Sequence, residues 1–301
     1  MQTSELLRKV RRIEIRTSHL VSDVMAGQFR SAFKGRGMEF EEVRPYQYGD
    51  DVRSIDWNVS ARTGFPHVKL FREERELTVM LAVDLSGSLS FGTHAQLKRE
   101  LAAEIAATIA FSAIRSNDRV GLVCFTDRVE RVVPPRKGSR HVLRIVRDLL
   151  GFEPSSRGTD IGGAIAEATR MLSRRSVLFV VSDWRSNTVS AKGGEPWEDA
   201  LRIARMKHDV IPVLIRDRRE HEMPAFGLAE FMDEETGECI VVDLGSKVVR
   251  NRFAQLAAAE GSLLDETLRK LRSEAIRVET GGDFVAPLTT FFRRREARRA
   301  R

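Results

Sequence analysis

The sequence predicts an α/β protein: a doubly wound, mostly parallel sheet with helices on both faces, preceded by an N-terminal accessory region. Three observations carry this. Short apolar runs such as Val79-Met80-Leu81-Ala82-Val83 and Val177-Leu178-Phe179-Val180-Val181 fit strands buried on both faces. These runs alternate along the chain with amphipathic stretches of helical period, the pattern of a parallel sheet with crossover helices. Polar turn residues follow the strands directly, at the rim where open α/β sheets place their ligands.

Residues 3–30 read as helical or mixed, with Leu6, Leu7, Val10 and Ile13 at helical spacing. Residues 35–58 have no sustained period, and Gly35, Gly37, Pro45 and Gly49 punctuate them as loops and short strands. Residues 67–83 read as one extended strand or two consecutive ones, the first part an edge strand leading into the central strand. Leu97, Leu101, Ile105 and Ile109 mark the clearest helix, over 97–115. Strands are expected at Val120–Phe125, Val129–Val133, Ser176–Ser182 and Val210–Ile215, and helices at Gly138–Leu150, from Gly158 onward, and at Trp197–Met206. A hairpin is expected near 227–244, then a long helix to Arg272, a last strand Ile276–Glu279 and a last helix from Pro287. The expected division is an accessory region over 1–76 and the main domain over 77–301.

The composition of 301 residues, 42% hydrophobic and 31% charged, is that of a soluble globular chain. No apolar run approaches the roughly 18–20 residues of a membrane span. The first residues lack the apolar core of a signal peptide, so the expected compartment is the cytoplasm. Two cysteines, Cys124 and Cys239, disfavour a disulfide framework or a zinc site. The net charge is +7, of which the six arginines and one glutamate of Arg293–Arg301 supply most. Such an end can meet nucleic acid, an acidic membrane surface or an acidic partner, but no recognition motif accompanies it, and a solvated tail or the end of an exposed helix is the preferred reading.

The chemistry lies in Asp84-Leu85-Ser86-Gly87-Ser88, which follows the Val79–Val83 run. One carboxylate and two hydroxyls on a strand-end turn are hard oxygen donors, suited to Mg²⁺ or Mn²⁺. Asp183 follows a second apolar run, and Thr159 lies at a helix start after Gly158. Together Asp84, Ser86, Ser88, Thr159 and Asp183 could supply most of an octahedral shell, directly or through water. The plainer reading makes the same residues helix caps and loop anchors of an empty site.

This constellation, in this order on an α/β background, resembles the metal-ion-dependent adhesion site of von Willebrand factor A domains. Asp183-Trp184 departs from the Asp-Gly of many such domains. The segment with Glu39-Phe40-x-Glu42-x-Arg44-x-Tyr46 and Gly49-Asp50-Asp51-x-Arg53-x-Ile55-Asp56-Trp57 is similar to the bacterial domain-of-unknown-function family 58. The resemblance covers the chain from about residue 33 to the tail. It implies a divalent-metal-dependent protein-interaction module that works with a MoxR-type AAA+ ATPase, in chaperone-like assembly or metal insertion. It further implies that a partner's Asp or Glu completes the metal shell and that no catalysis is needed.

An enzyme reading, a metal-dependent hydrolase or phosphatase, is the first alternative. Phosphotransferases of the haloacid dehalogenase type carry Asp-x-Asp at such a turn; here the second position is Ser86, whose hydroxyl cannot replace a carboxylate as general acid or base. The histidines are scattered, and His94, the nearest after the turn, reads as a surface or capping residue. No phosphate loop follows Gly35-x-Gly37. Nucleic-acid binding through the basic tail is the remaining alternative. The charged and aromatic residues of 35–57 read mainly as a network that fixes loop geometry, with a binding surface as the sharper option.

Overall fold

The computed structural model describes residues 3–20, 23–33, 38–73, 76–93, 96–185, 195–232 and 237–299. His94, Gly35, Gly37 and the Glu235-Thr236 centre of the hairpin lie outside them. In chain order the elements are α1 (Thr3–Leu20), α2 (Asp23–Phe33), β1 (Met38–Pro45), α3 (Trp57–Thr63), β2 (His67–Glu73), β3 (Thr78–Asp84), α4 (Lys98–Arg115), β4 (Arg119–Phe125) and β5 (Val129–Arg136). Then follow α5 (Ser139–Gly151), α6 (Ile161–Met171), β6 (Val177–Ser182), α7 (Glu198–Lys207), β7 (Asp209–Arg216), β8 (Leu228–Met232), β9 (Cys239–Asp243), α8 (Lys247–Lys270), β10 (Ile276–Glu279) and α9 (Val285–Arg299).

The chain forms two compact units, residues 34–76 and all the rest. This corrects the expected boundary, because α1 and α2 belong to the larger unit. The reason is their apolar face: Val10 and Ile13 of α1, and Met25, Phe29, Ala32 and Phe33 of α2, are buried in the main core.

In the larger unit six strands lie in the order β10-β7-β6-β3-β4-β5. All neighbours are parallel except β4 and β5. From β3 the chain builds outward through β4 and β5, then returns to place β6 on the other side. The crevice beyond β3 and β6 is therefore the topological switch point, where ligands sit in such sheets. The period of two divides β3 between two cores. Val79, Leu81 and Val83 face α4, α5 and α9, while Met80 and Ala82 face α6 and α7.

The basic C-terminal helix is docked through its first half. Phe292 of α9 meets Phe29 and Phe33 edge-on, at centroid distances of 5.5 and 5.6 Å. The Arg295 guanidinium lies 4.9 Å from the Phe33 ring centroid and pairs with Asp209. Arg298 pairs with Glu274 at 2.8 Å. Arg295 and Arg298 thus form ion pairs within the fold, while Arg293, Arg294 and Arg298 lie exposed at the end of the helix, the second of the two expected forms of the basic end.

The expected hairpin is present as β8 paired antiparallel with β9. It exposes Leu228, Met232, Ile240 and Val241, and of α8 only Thr267 and Leu268 are buried.

In the smaller unit β1 pairs antiparallel with β2 in a two-stranded ribbon. So β2 is not the edge of the main sheet, as its alternation led one to expect. Helix α3 was not expected. Asp56 caps it by accepting from Asn58 and Val59 N–H, and Gly64 ends it at φ 78°, the left-handed conformation glycine adopts readily. Arg44 grips Asp50 with both terminal nitrogens, at 2.8 and 2.7 Å, and Lys69 pairs with Asp56 at 3.2 Å. The polar residues of this segment thus fix its loops, while Tyr48, Trp57 and Phe65 stay exposed.

Candidate metal centre

Strands β3 and β6 are adjacent and parallel, with Val83 opposite Val181. Asp84 and Asp183, one at the end of β3 and the other directly after β6, therefore emerge on one rim. Both are buried, at 0% and 3% exposure. Asp84 Oδ1 accepts the Ser86 N–H at 2.8 Å, which fixes the tight turn after the strand. Its Oδ2 accepts the Ser182 hydroxyl at 2.6 Å. Ser86 and Ser88 hydroxyls lie 3.1 Å apart.

The loop that carries Thr159 is held to this turn by one backbone bond and to the ends of β4 and β5 by backbone and carboxylate bonds. Gly87 N–H donates to the Arg157 carbonyl, and Asp160 N–H donates to the Thr126 carbonyl, both at 2.8 Å. Glu130 on β5 accepts from Ser155 N–H at 3.0 Å and Ser156 N–H at 3.2 Å. The helix itself begins at Ile161, three residues after Gly158. Asp160 caps it, accepting Gly163 N–H at 2.9 Å, and half-buried Thr159 stands on the loop before the cap.

Three further participants complete the site: Ser182 and Lys98, which carried no sequence signal, and Trp184, which the sequence marked only as a departure. Ser182 links the two carboxylate turns: its hydroxyl donates to Asp84 and accepts the Trp184 N–H at 3.0 Å. Trp184 sits at φ 59°, in the left-handed region where many related loops have glycine. Burial of its ring against Trp197, edge-on at 4.9 Å, offsets a backbone cost of about 1–2 kcal/mol. The third is Lys98, the first residue of α4. It is fully buried, and its ammonium donates to Asp183 Oδ2 at 2.9 Å and to Glu220 Oε1 at 2.8 Å. The second Glu220 oxygen accepts Asp217 N–H at 2.8 Å, in a reciprocal cap of the short helical turn after β7. A helix-start lysine is normally solvated, so only the structure shows it inside.

The electrostatics follow from burial and neighbours. Burial pushes the Asp84 carboxyl up, Asp183 adds to this, and the serine bonds oppose it, leaving it at about 7. Burial would also raise Asp183, but attraction to Lys98 and its hydrogen bond outweigh this and hold it below the usual range. For Lys98, burial alone would lower the pKa, but Asp183 and Glu220 together hold it above the ordinary lysine value.

The donor set can be tested against the implied ion. Among the described residues no group of three or more His, Cys, Asp and Glu side chains forms a metal centre. A cation here would be held by two carboxylates and three hydroxyls, a hard oxygen set. Among the described residues no lysine or arginine pairs with the buried Asp84, and a small divalent ion would offset its charge. The residues fit Mg²⁺ or Mn²⁺. Beside them opens a cleft of about 500 Å³, lined by Asp183, Arg185 and Glu220 and by Phe253, Leu256 and Leu264 of α8.

Fold and turn together define an α/β protein with a doubly wound, mostly parallel sheet and an acid-and-hydroxyl turn at its switch point. The chain belongs to the family described as Protein of unknown function DUF58, whose model matches residues 42–262. It is 31% identical over 289 residues to the uncharacterized protein Rv1480 of Mycobacterium tuberculosis, covering 95% of this chain and 89% of that one. Among solved structures it is similar to the conserved hypothetical protein BatB of Bacteroides thetaiotaomicron, with TM-score 0.48 and 18% identity over 74% of this chain and 99% of that chain. It is also similar to the SpRpn10 VWA domain, with TM-score 0.41 and 11% identity over 71% of this chain and 94% of that one. No helix among the described residues is long and apolar enough to cross a membrane.

Proposed function

We propose that this protein is a non-catalytic, divalent-metal-dependent interaction module of the cytoplasm. Asp84, Ser86, Ser88, Thr159 and Asp183 would hold Mg²⁺ or Mn²⁺, directly or through water. When bound, the cation offers an open coordination position to an acidic side chain of a partner. The protein's own part is to keep the donors dry and oriented: Ser182 and the Ser86 N–H fix Asp84, and Lys98 fixes Asp183. The single observation that carries the reading is the pair of buried carboxylates, Asp84 and Asp183, at the ends of two adjacent parallel strands beside the Ser86 and Ser88 hydroxyls.

The partner proposed is a MoxR-type AAA+ ATPase, acting with this protein in assembly or metal insertion of clients. A catalytic reading gains nothing from the site. Asp84 and Asp183 have the role of ligands in the proposed function, fixed by serine, backbone and lysine donors, and no proton transfer is asked of them.

The test is a pull-down from native lysate with wild type and Asp84→Ala, in Mg²⁺ or in chelator. Recovery of an AAA+ ATPase by the wild type in Mg²⁺ alone is the expected result. Equal recovery by folded wild type and variant in both conditions would refute the metal-dependent contact.

A further inference from the structure

The outer layer on the α4 side of the sheet is strongly basic. Helices α1 and α5 pack against each other and against α4, and bury Val10, Ile13, Val142 and Ile145 in one core. Their outward faces expose Arg8, Arg11 and Arg12 of α1 and Arg140, Arg144 and Arg147 of α5. Burial explains the apolar stripes. It does not explain arginines three and four positions apart on both helices, since like charges at that spacing oppose helix formation.

The neighbouring acids do not neutralise this face. Asp148, the one acid of α5, is shared by three guanidiniums: Arg147 at 3.3 Å, Arg131 of β5 at 3.4 Å and Arg144 at 3.8 Å. Glu14 of α1 is half-buried, and Glu100 of the adjoining α4 is taken by Lys9 at 2.6 Å. Arg8, Arg11, Arg12 and Arg140 form no ion pair among the described residues. The chemistry of the face also selects among anions. Guanidinium forks match phosphate oxygens. A protein-docking face has an apolar centre depleted of charge, whereas the one large apolar side chain known to be exposed on these helices is Ile15. No exposed aromatic among their described residues is there to stack on a base. A layer of phosphates, with Ile15 dipping beneath it, fits this face best.

We infer that the outward faces of α1 and α5 form a docking surface for an anionic phospholipid bilayer, which holds the protein peripherally and without help from a metal ion. The cleft stays clear of such a bilayer, because Leu264 and Leu268 of α8 pack with the core on the other side of the sheet. A partner could therefore reach the metal centre while the basic face rests on lipid.

The experiment sediments the full chain, in chelator, with vesicles of phosphatidylcholine alone or with about one-third phosphatidylglycerol. The wild type is expected to bind the anionic vesicles only, and to be released by high salt. Replacing Arg140, Arg144 and Arg147 together by Gln is expected to weaken binding about 100-fold, from a factor of about five for each charge at the surface. The same exchange at Arg8, Arg11 and Arg12 gives an equal loss, and decides the matter if the α5 variant does not fold. A third variant, Arg202→Gln with Arg269→Gln and Lys270→Gln, removes as much charge from α7 and α8 and is expected to bind almost as the wild type does. No sedimentation of the wild type on anionic vesicles overturns the inference. So does an equal loss in all three variants, which would reduce the effect to net charge. Retention of a DNA duplex by a wild type that ignores the vesicles would assign the face to nucleic acid and overturn it as well.

Discussion

Replacing Asp84 with Asn isolates the electrostatic burden that burial places on this carboxyl. The carboxyl lies at about 7 against 3.8 for the ordinary group, and it is wholly buried, so solvent does not screen it. That difference corresponds to about 4 kcal/mol of differential stability. The sign follows from its being raised. Between about pH 4 and 7 the native state keeps a proton that the unfolded chain has lost. The stabilisation is complete below pH 4 and is lost as pH rises to and through 7. Asn keeps the shape and both contacts, since its oxygen can accept Ser86 N–H and its amide can donate to Ser182. Urea unfolding in chelator should show the wild type losing about 4 kcal/mol more than Asp84→Asn between pH 4 and 8. Mg²⁺ at a hundred times its Kd should restore about 2.7 kcal/mol to the wild type at pH 8 and nothing to the variant. Parallel pH profiles in chelator would refute the claim that this carboxylate is buried and uncompensated.

Asp217 should behave in the opposite sense. Burial would raise it, but the Thr280 hydroxyl, Arg219 N–H and both donors of Thr93 outweigh this and hold it at about 2. Its contribution of about 2–3 kcal/mol is present above pH 4 and lost as pH falls toward 2, so acid unfolding of Asp217→Asn should lack that component. Phe292→Ala removes the hub of the aromatic cluster that docks α2 on α9, and should cost about 3–5 kcal/mol by denaturation. Arg44→Lys keeps the charge but loses the two-pronged grip on Asp50, and should speed proteolytic cleavage at residues 46–50 with the large unit intact.

The sheet was legible because its strands are buried on both faces. Val79–Val83 and Val177–Val181 can hardly be anything but central strands, and the polar residues that end them fell at the switch point. The edges were harder to read. Alternation in 67–73 marks a strand but not its sheet, and β2 pairs with β1 instead of β3. Helix α3 has no apolar stripe, and its signature was in its ends, Asp56 before it and Gly64 after it. The accessory boundary was misplaced because amphipathic helices do not announce what they cover. At the site the hydroxyls and carboxylates were readable by type and order. Lys98, Ser182 and Glu220 were not, since a lysine in a helix and a serine in a strand look ordinary until the fold buries them together.

Two thiols in this chain occupy opposite chemical situations. Cys124, inside β4, is shielded, and burial pushes its thiol up to about 12. Cys239, at the start of β9, is open and unpaired. A maleimide dye at neutral pH would therefore attach at a single place, beside Ile240 and Val241 on the uncovered hairpin. The molecule comes with its own attachment point for an environment-sensitive label, and no engineered cysteine is required to watch that ribbon pass from water into contact with another protein.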